Sequence, residues 1–159
     1  MSRRSLLVLV VVAAVLVAAP VLGQEFSESG NLLTHLTIRD VPIAAEVVSA
    51  PQQVYQGLSH RQGLPEGRGM LFLLDQAGLH SFCMRDMLFS IDIIWIADGK
   101  VAGIDSRLSP TDQGAFTPPV PVRLVLEVPG GFAERHGIKA GDQVMLQLPG
   151  VASQAPDNP

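Results

Sequence analysis

The sequence predicts a mainly β (α+β) fold with one or two short helices. Three observations carry this. Short apolar runs recur along the chain, separated by glycine, proline, asparagine or aspartate. An Asp98-Gly99 pair sits between two such runs, a hairpin signal because glycine accepts positive φ. Only two stretches carry the spacing and caps of a helix, and both are short.

Residues 32–38 alternate, with Leu32, Thr34, Leu36 and Ile38 on one face, and read as the first strand. Residues 43–48 form the second, and Pro42 marks the break before it. Ser49 starts a helix that runs to about residue 58. Ser49 can cap it, Gln52 can reach back to close a capping box, and Val54 and Leu58 share its apolar face. Residues 63–67 turn, 69–74 make a short apolar strand, and 81–84 make another. Residues 91–97 are the most apolar strand, and 101–104 return from the Asp98-Gly99 hairpin. Pro110, Pro118, Pro119 and Pro121 make 109–121 a long loop. Residues 123–128 read as a strand. A short helix follows from Phe132 to His136, with Gly137 in the C′ position. Gly141-Asp142 turns the chain into a last strand at 143–148. Residues 24–31 read as a flexible linker and 149–159 as a disordered tail, so the domain is expected at 32–148.

The 159 residues suffice for one domain of ordinary size. Residues 1–23 have the layout of a signal peptide or signal anchor: Arg3 and Arg4, an unbroken apolar run at 6–19, then Pro20-Val21-Leu22-Gly23 before Gln24. The run is short for a permanent membrane span. The Ser2-Arg3-Arg4 start also resembles a twin-arginine signal, and the apolar run suits the general secretory route equally well. Export to the periplasm or outside the cell is therefore expected, with membrane attachment only through an uncleaved leader. Residues 24–159 hold 9 basic against 15 acidic residues, a net of −6, which argues against nucleic-acid binding. The single cysteine, Cys83, excludes an internal disulfide.

Three blocks together resemble a known family. The first is Gln56-Gly57-Leu58-Ser59-His60-Arg61 with Leu64-Pro65 and Gly69-Met70-Leu71-Phe72. The second is Ser81-Phe82-Cys83-Met84-Arg85-Asp86-Met87-Leu88, leading into Ile91-Asp92-Ile93-Ile94-Trp95-Ile96. The third is Val122-Arg123-Leu124-Val125-Leu126-Glu127-Val128, then Gly131-Phe132 and Gly137-Ile138-Lys139-Ala140-Gly141-Asp142-Gln143-Val144. In this order they resemble the bacterial and archaeal family called domain of unknown function 192, over roughly residues 40–148. The resemblance implies a small, barrel-like antiparallel or mixed sheet, often exported, and it implies no activity. This chain departs from the family pattern in having Cys83 where tryptophan is usual, Arg85-Asp86-Met87 in place of Lys-Asn-Thr, and Ser90 where proline is frequent.

The densest polar cluster spans residues 80–87. As a metal site, His80, Cys83, Met84 and Met87 are soft ligands suited to copper(I). On a strand, though, alternate residues face opposite sides, and methionine fills cores, so packing is the favoured reading and no metal or cofactor is expected. Asp92 lies inside an apolar strand and needs a partner there, which Arg85 or Arg123 can supply. Glu127 alternates with Leu126 and Val128 and reads as part of a solvated strand face. Ser59, Ser81 and Cys83 are conceivable nucleophiles, with His60, His80 and His136 as bases. Gly57-Leu58-Ser59-His60-Arg61 lacks the last glycine of a nucleophile elbow.

These readings favour an exported, non-catalytic accessory or small-ligand-binding module of the cell envelope. Its partner would be a small ligand or an envelope protein, and its site would be His80, Arg85, Asp86, Asp92 and Arg123. Arginine forks would hold anionic groups there. The competing classes are a small hydrolase or transferase using Arg85, Asp86, Asp92 and Arg123, and a copper-binding protein.

Overall fold

The computed structural model describes residues 24–147; the leader, Leu148 and the tail fall outside them. Seven strands and two short helices follow in the order β1 (Leu32–Ile38), β2 (Val41–Val48), α1 (Pro51–Gln56), β3 (Arg68–Gly78), β4 (Ile91–Ala97), β5 (Lys100–Leu108), β6 (Val122–Pro129), α2 (Phe132–Arg135) and β7 (Val144–Gln147). The strands form one sheet in the order β5-β4-β6-β3-β2-β1-β7. Every pairing is antiparallel except β2 with β3. A parallel pair needs a crossover, and the segment carrying α1 supplies it. The sheet curls into a half-barrel. At one end its two edges meet: Lys100 bridges Gln143, and the Val101 N–H reaches the Asp142 carbonyl at 2.9 Å.

The curled sheet buries two apolar layers. The inner one draws on all seven strands, with Leu36, Ile43, Leu71, Ile94, Val101, Leu126 and Val144 among its members, and α2 closes it with Phe132 and Ala133. The outer one centres on β3, β4 and β6, through Met70, Phe72, Ile93, Trp95 and Val125, and reaches Val48 of β2 and Leu108 of β5. Leu58, Met84 and Met87 pack onto it from α1 and the strap that joins β3 to β4.

The sequence places most elements within a residue or two. The Asp98-Gly99 turn forms with positive φ at both residues, 50° and 68°. Gly137 takes its left-handed place after α2 at φ 63°. Other expectations shift. Pro42 lies inside β2, opposite Thr37, and the turn falls at Arg39-Asp40. Proline is tolerated there because pairing with β3 begins only at Ala44. The start of α1 moves one residue on. Ala50 is the N-cap, Pro51 opens the helix, and Gln53 rather than Gln52 reaches back to the Ala50 N–H at 3.3 Å. Residues 81–84 make no strand. Phe82 alone pairs, with Phe116, and its neighbours lie across the outer layer. Residues 24–31 are tied back rather than loose: Leu33 donates to the Glu25 carbonyl at 2.7 Å, and Ser27 Oγ bonds Glu46 at 3.0 Å.

Candidate functional site

A pocket of about 450 Å³ lies between α1, the outer face of the sheet and the strap. Phe72 and Leu74 line it from β3, Val54 and Tyr55 from α1, and Phe82 from the strap. Phe82 stands edge-on to Phe72, ring centres 5.1 Å apart, and to Trp95 at 5.5 Å. Its backbone exchanges two hydrogen bonds with Phe116, at 2.9 and 2.8 Å, which pins the strap to the 109–121 loop. The apolar walls thus follow from two local causes: alternate β3 side chains face outward, and one aromatic strap residue is fixed over them.

The floor of the pocket is polar at one point. Glu127 sits on β6 between Met70 of β3 and Ile93 of β4, and only 5% of it is exposed. This corrects the solvated-face reading. β6 is a central strand with both faces covered, so alternation carries Glu127 into the outer layer instead of into water. Among the described residues, no hydrogen bond or ion pair ends on its carboxyl group, and no fully buried side-chain oxygen lacks a partner, so its oxygens open onto the pocket. Burial pushes its pKa up to about 8, so the group is mostly a neutral acid at pH 7.

Of the sequence-derived candidates, His80, Arg85, Cys83 and Met87 line this pocket, and Asp86 lines a shallower depression beside it with His60. Arg85 lies over the Tyr55 ring, 3.9 Å from its centre, donates to the Tyr55 carbonyl at 2.7 Å and stands 3.8 Å from Asp86. Ser59 Oγ bonds the Arg85 carbonyl at 2.9 Å, and the His60 N–H bonds the Asp86 carbonyl at 2.9 Å. The end of α1 and the strap are therefore one clamped rim. His80 Nε2 donates to the Gln76 carbonyl at 2.8 Å and not to Cys83, which is exposed. Met84 is 4% exposed in the outer layer and does not line the pocket, so the four soft ligands do not converge. Among the described residues, no group of three or more His, Cys, Asp or Glu is placed to hold a metal ion.

Asp92 and Arg123 lie apart from the pocket. Asp92 is fully buried and takes its partners from backbone N–H groups: Arg107 and Gly131 at 2.7 Å on Oδ1, and Ala133 at 2.8 Å on Oδ2. Among the described residues no arginine side chain pairs with it, neither Arg85 nor Arg123, contrary to expectation. Arg123 is exposed on β6 and donates from Nε to the Leu74 carbonyl at 2.8 Å. A third acid, unremarked in the sequence, is also structural. Glu46 receives both ends of the Arg61 guanidinium, at 2.5 and 3.0 Å, together with Asn31 at 2.8 Å. Burial pushes its pKa up, but the bonds from Arg61, Asn31 and Ser27 outweigh that and hold it below the usual carboxylate range. Both Glu46 and Glu127 interrupt apolar runs, and that was the available sequence signal.

A family model described as an uncharacterised conserved family, domain of unknown function 192, matches residues 34–146. The chain belongs to that family. Solved structures similar to this family member agree with the fold. A protein of unknown function from Novosphingobium aromaticivorans DSM 12444 is 29% identical, with a TM-score of 0.73 over 77% of this chain and 92% of that one. A protein named a "putative transcription regulator", from Sinorhizobium meliloti 1021, is 25% identical, with a TM-score of 0.66 over 72% and 92%. No curated protein matches this domain of unknown function 192 chain.

Proposed function

We propose that the domain binds a small molecule in the Glu127 pocket and acts as a non-catalytic module of the cell envelope. One observation carries the reading: the carboxyl group of Glu127, only 5% of which is exposed, faces the pocket with no protein partner among the described residues. Such a group offers one polar anchor to a guest that enters the pocket. The volume falls within the usual range for small-ligand sites, and its lining mixes apolar side chains with Gln56, Ser59, His80, Ser81, Arg85 and Glu127. Catalysis is less well supported, since the His80 ring is engaged with Gln76 rather than with Cys83. The leader-like residues 1–23 support export. The net charge of −6 over residues 24–159 speaks against carrying the regulator name of the Sinorhizobium protein over to this chain.

The test is the native mass of the protein purified from its own host's envelope, compared with its Glu127→Leu variant. An organic mass that the wild type retains and the variant loses supports the reading. A bare polypeptide, with no thermal shift from a library of small amines, acids, alcohols and amides, overturns it. A mass that begins at Gln24 would establish the cleaved leader.

A further inference from the structure

A buried acid can be completed in two ways. A guest can accept its proton in a hydrogen bond, or it can bring a positive charge and leave the acid ionised. The protein's own cation at the rim, Arg85, is committed to the Tyr55 ring and carbonyl and to Asp86, so it does not neutralise Glu127. Phe72 and Phe82 line the same pocket as the acid, and aromatic rings attract ammonium groups. The acidic surface favours the approach of cations over anions. The pocket offers one buried acid, so one charge is matched and a polyamine is not.

We propose that the pocket takes a hydrophobic monoamine, with its ammonium group on the Glu127 carboxylate and its apolar body along Phe72 and Phe82. The inference rests on the small-ligand reading above and names the ligand class. Binding is a proton exchange: the neutral acid releases its proton to solvent as the ammonium arrives, and no bond is made or broken in the guest.

The experiment is calorimetric titration of the full chain with n-hexylamine and phenethylamine, against hexan-1-ol, hexanamide and hexanoate, from pH 6 to 9. The amines should bind at least tenfold more tightly than the neutral and anionic analogues. Because Glu127 must ionise, the amine association constant should rise about tenfold per pH unit until about pH 8 and then level off. At pH 7 close to one proton should be released, read from the dependence of the heat on buffer ionisation. Glu127→Gln should lose the amine preference and the pH dependence, and the wild-type pH profile stands as a test even if that variant fails to fold. Tighter binding of hexan-1-ol, hexanamide or hexanoate, or an amine affinity that does not rise with pH, overturns the amine assignment and leaves the small-ligand reading standing. No binding by any of the five probes overturns the amine assignment, and the small-ligand reading is then decided by the native mass.

Discussion

Asp92 Oδ2 accepts the Ala133 N–H at 2.8 Å across 41 positions of sequence. The same carboxylate holds Gly131, so a strand residue caps a helix that has no side-chain cap of its own. It also holds the Arg107 N–H, at the β5 irregularity where Arg107 adopts a positive φ of 54°. One buried acid thereby joins β4, β5 and α2, and three orphan donors find their acceptor.

Asp92→Asn should therefore be a stability variant. The amide places a donor where backbone donors already point, and the expected loss is roughly 2–4 kcal/mol. Urea denaturation reads it directly. An unchanged midpoint would contradict the capping role.

Arg123→Ala should be mild by comparison. Its side chain bonds from Nε to the Leu74 carbonyl on an exposed face, and the expected loss is about 1 kcal/mol or less. Amine titration should be unaffected, because Arg123 lies outside the pocket.

Glu127 sets a pH dependence of its own. Its folded pKa of about 8 lies above the unfolded value, so the unfolded chain binds fewer protons between about pH 4.5 and 8. Stability is fully present below the unfolded value and falls as pH rises through that window, by roughly 1 kcal/mol per unit. Glu127→Gln should flatten the profile and exceed the wild type in melting temperature at pH 9.

Glu46 acts in the opposite sense. Its folded pKa is depressed, so its contribution is present above the unfolded value near pH 4.5 and lost as pH falls through the folded one. Arg61→Ala should remove about 2 kcal/mol at pH 7 and weaken the acid-induced decline, as followed by circular dichroism between pH 7 and 2.

Gly130→Ala should also destabilise the fold. A Cβ there would collide with the side chain of Ser90, whose carbonyl already accepts the Gly130 N–H at 2.9 Å. The expected loss is roughly 1–3 kcal/mol, and Ser90→Gly should recover part of it.

The strands were legible because their apolar runs and turn residues agree: Asp98-Gly99 and Gly137 do what their chemistry predicts. The strap was not. Residues 81–84 have strand composition, yet the middle of the sheet is already occupied by β3, β4 and β6, and only Phe82 finds a backbone partner. The pocket was half legible. His80 and Arg85 were marked by local polarity, and both line it. Glu127 was misplaced because alternation shows which face a residue takes, while topology decides whether that face is wet. Asp92 was correctly seen to need partners, but backbone donors 15 to 41 positions away carry no side-chain signature.

β7 pairs with β1, so the last strand of the described chain completes the curled sheet beside the first. The inner layer therefore stays open on one side until residues 144–147 are available. A ribosome delivers the chain from its N-terminal end. Strands β1 to β6 can pair as they emerge, but closure waits for residues 144–147, and a truncation before residue 144 should leave an unpaired, aggregation-prone β1 edge. This topology postpones the finished fold until β7 is available, however early the other six strands pair.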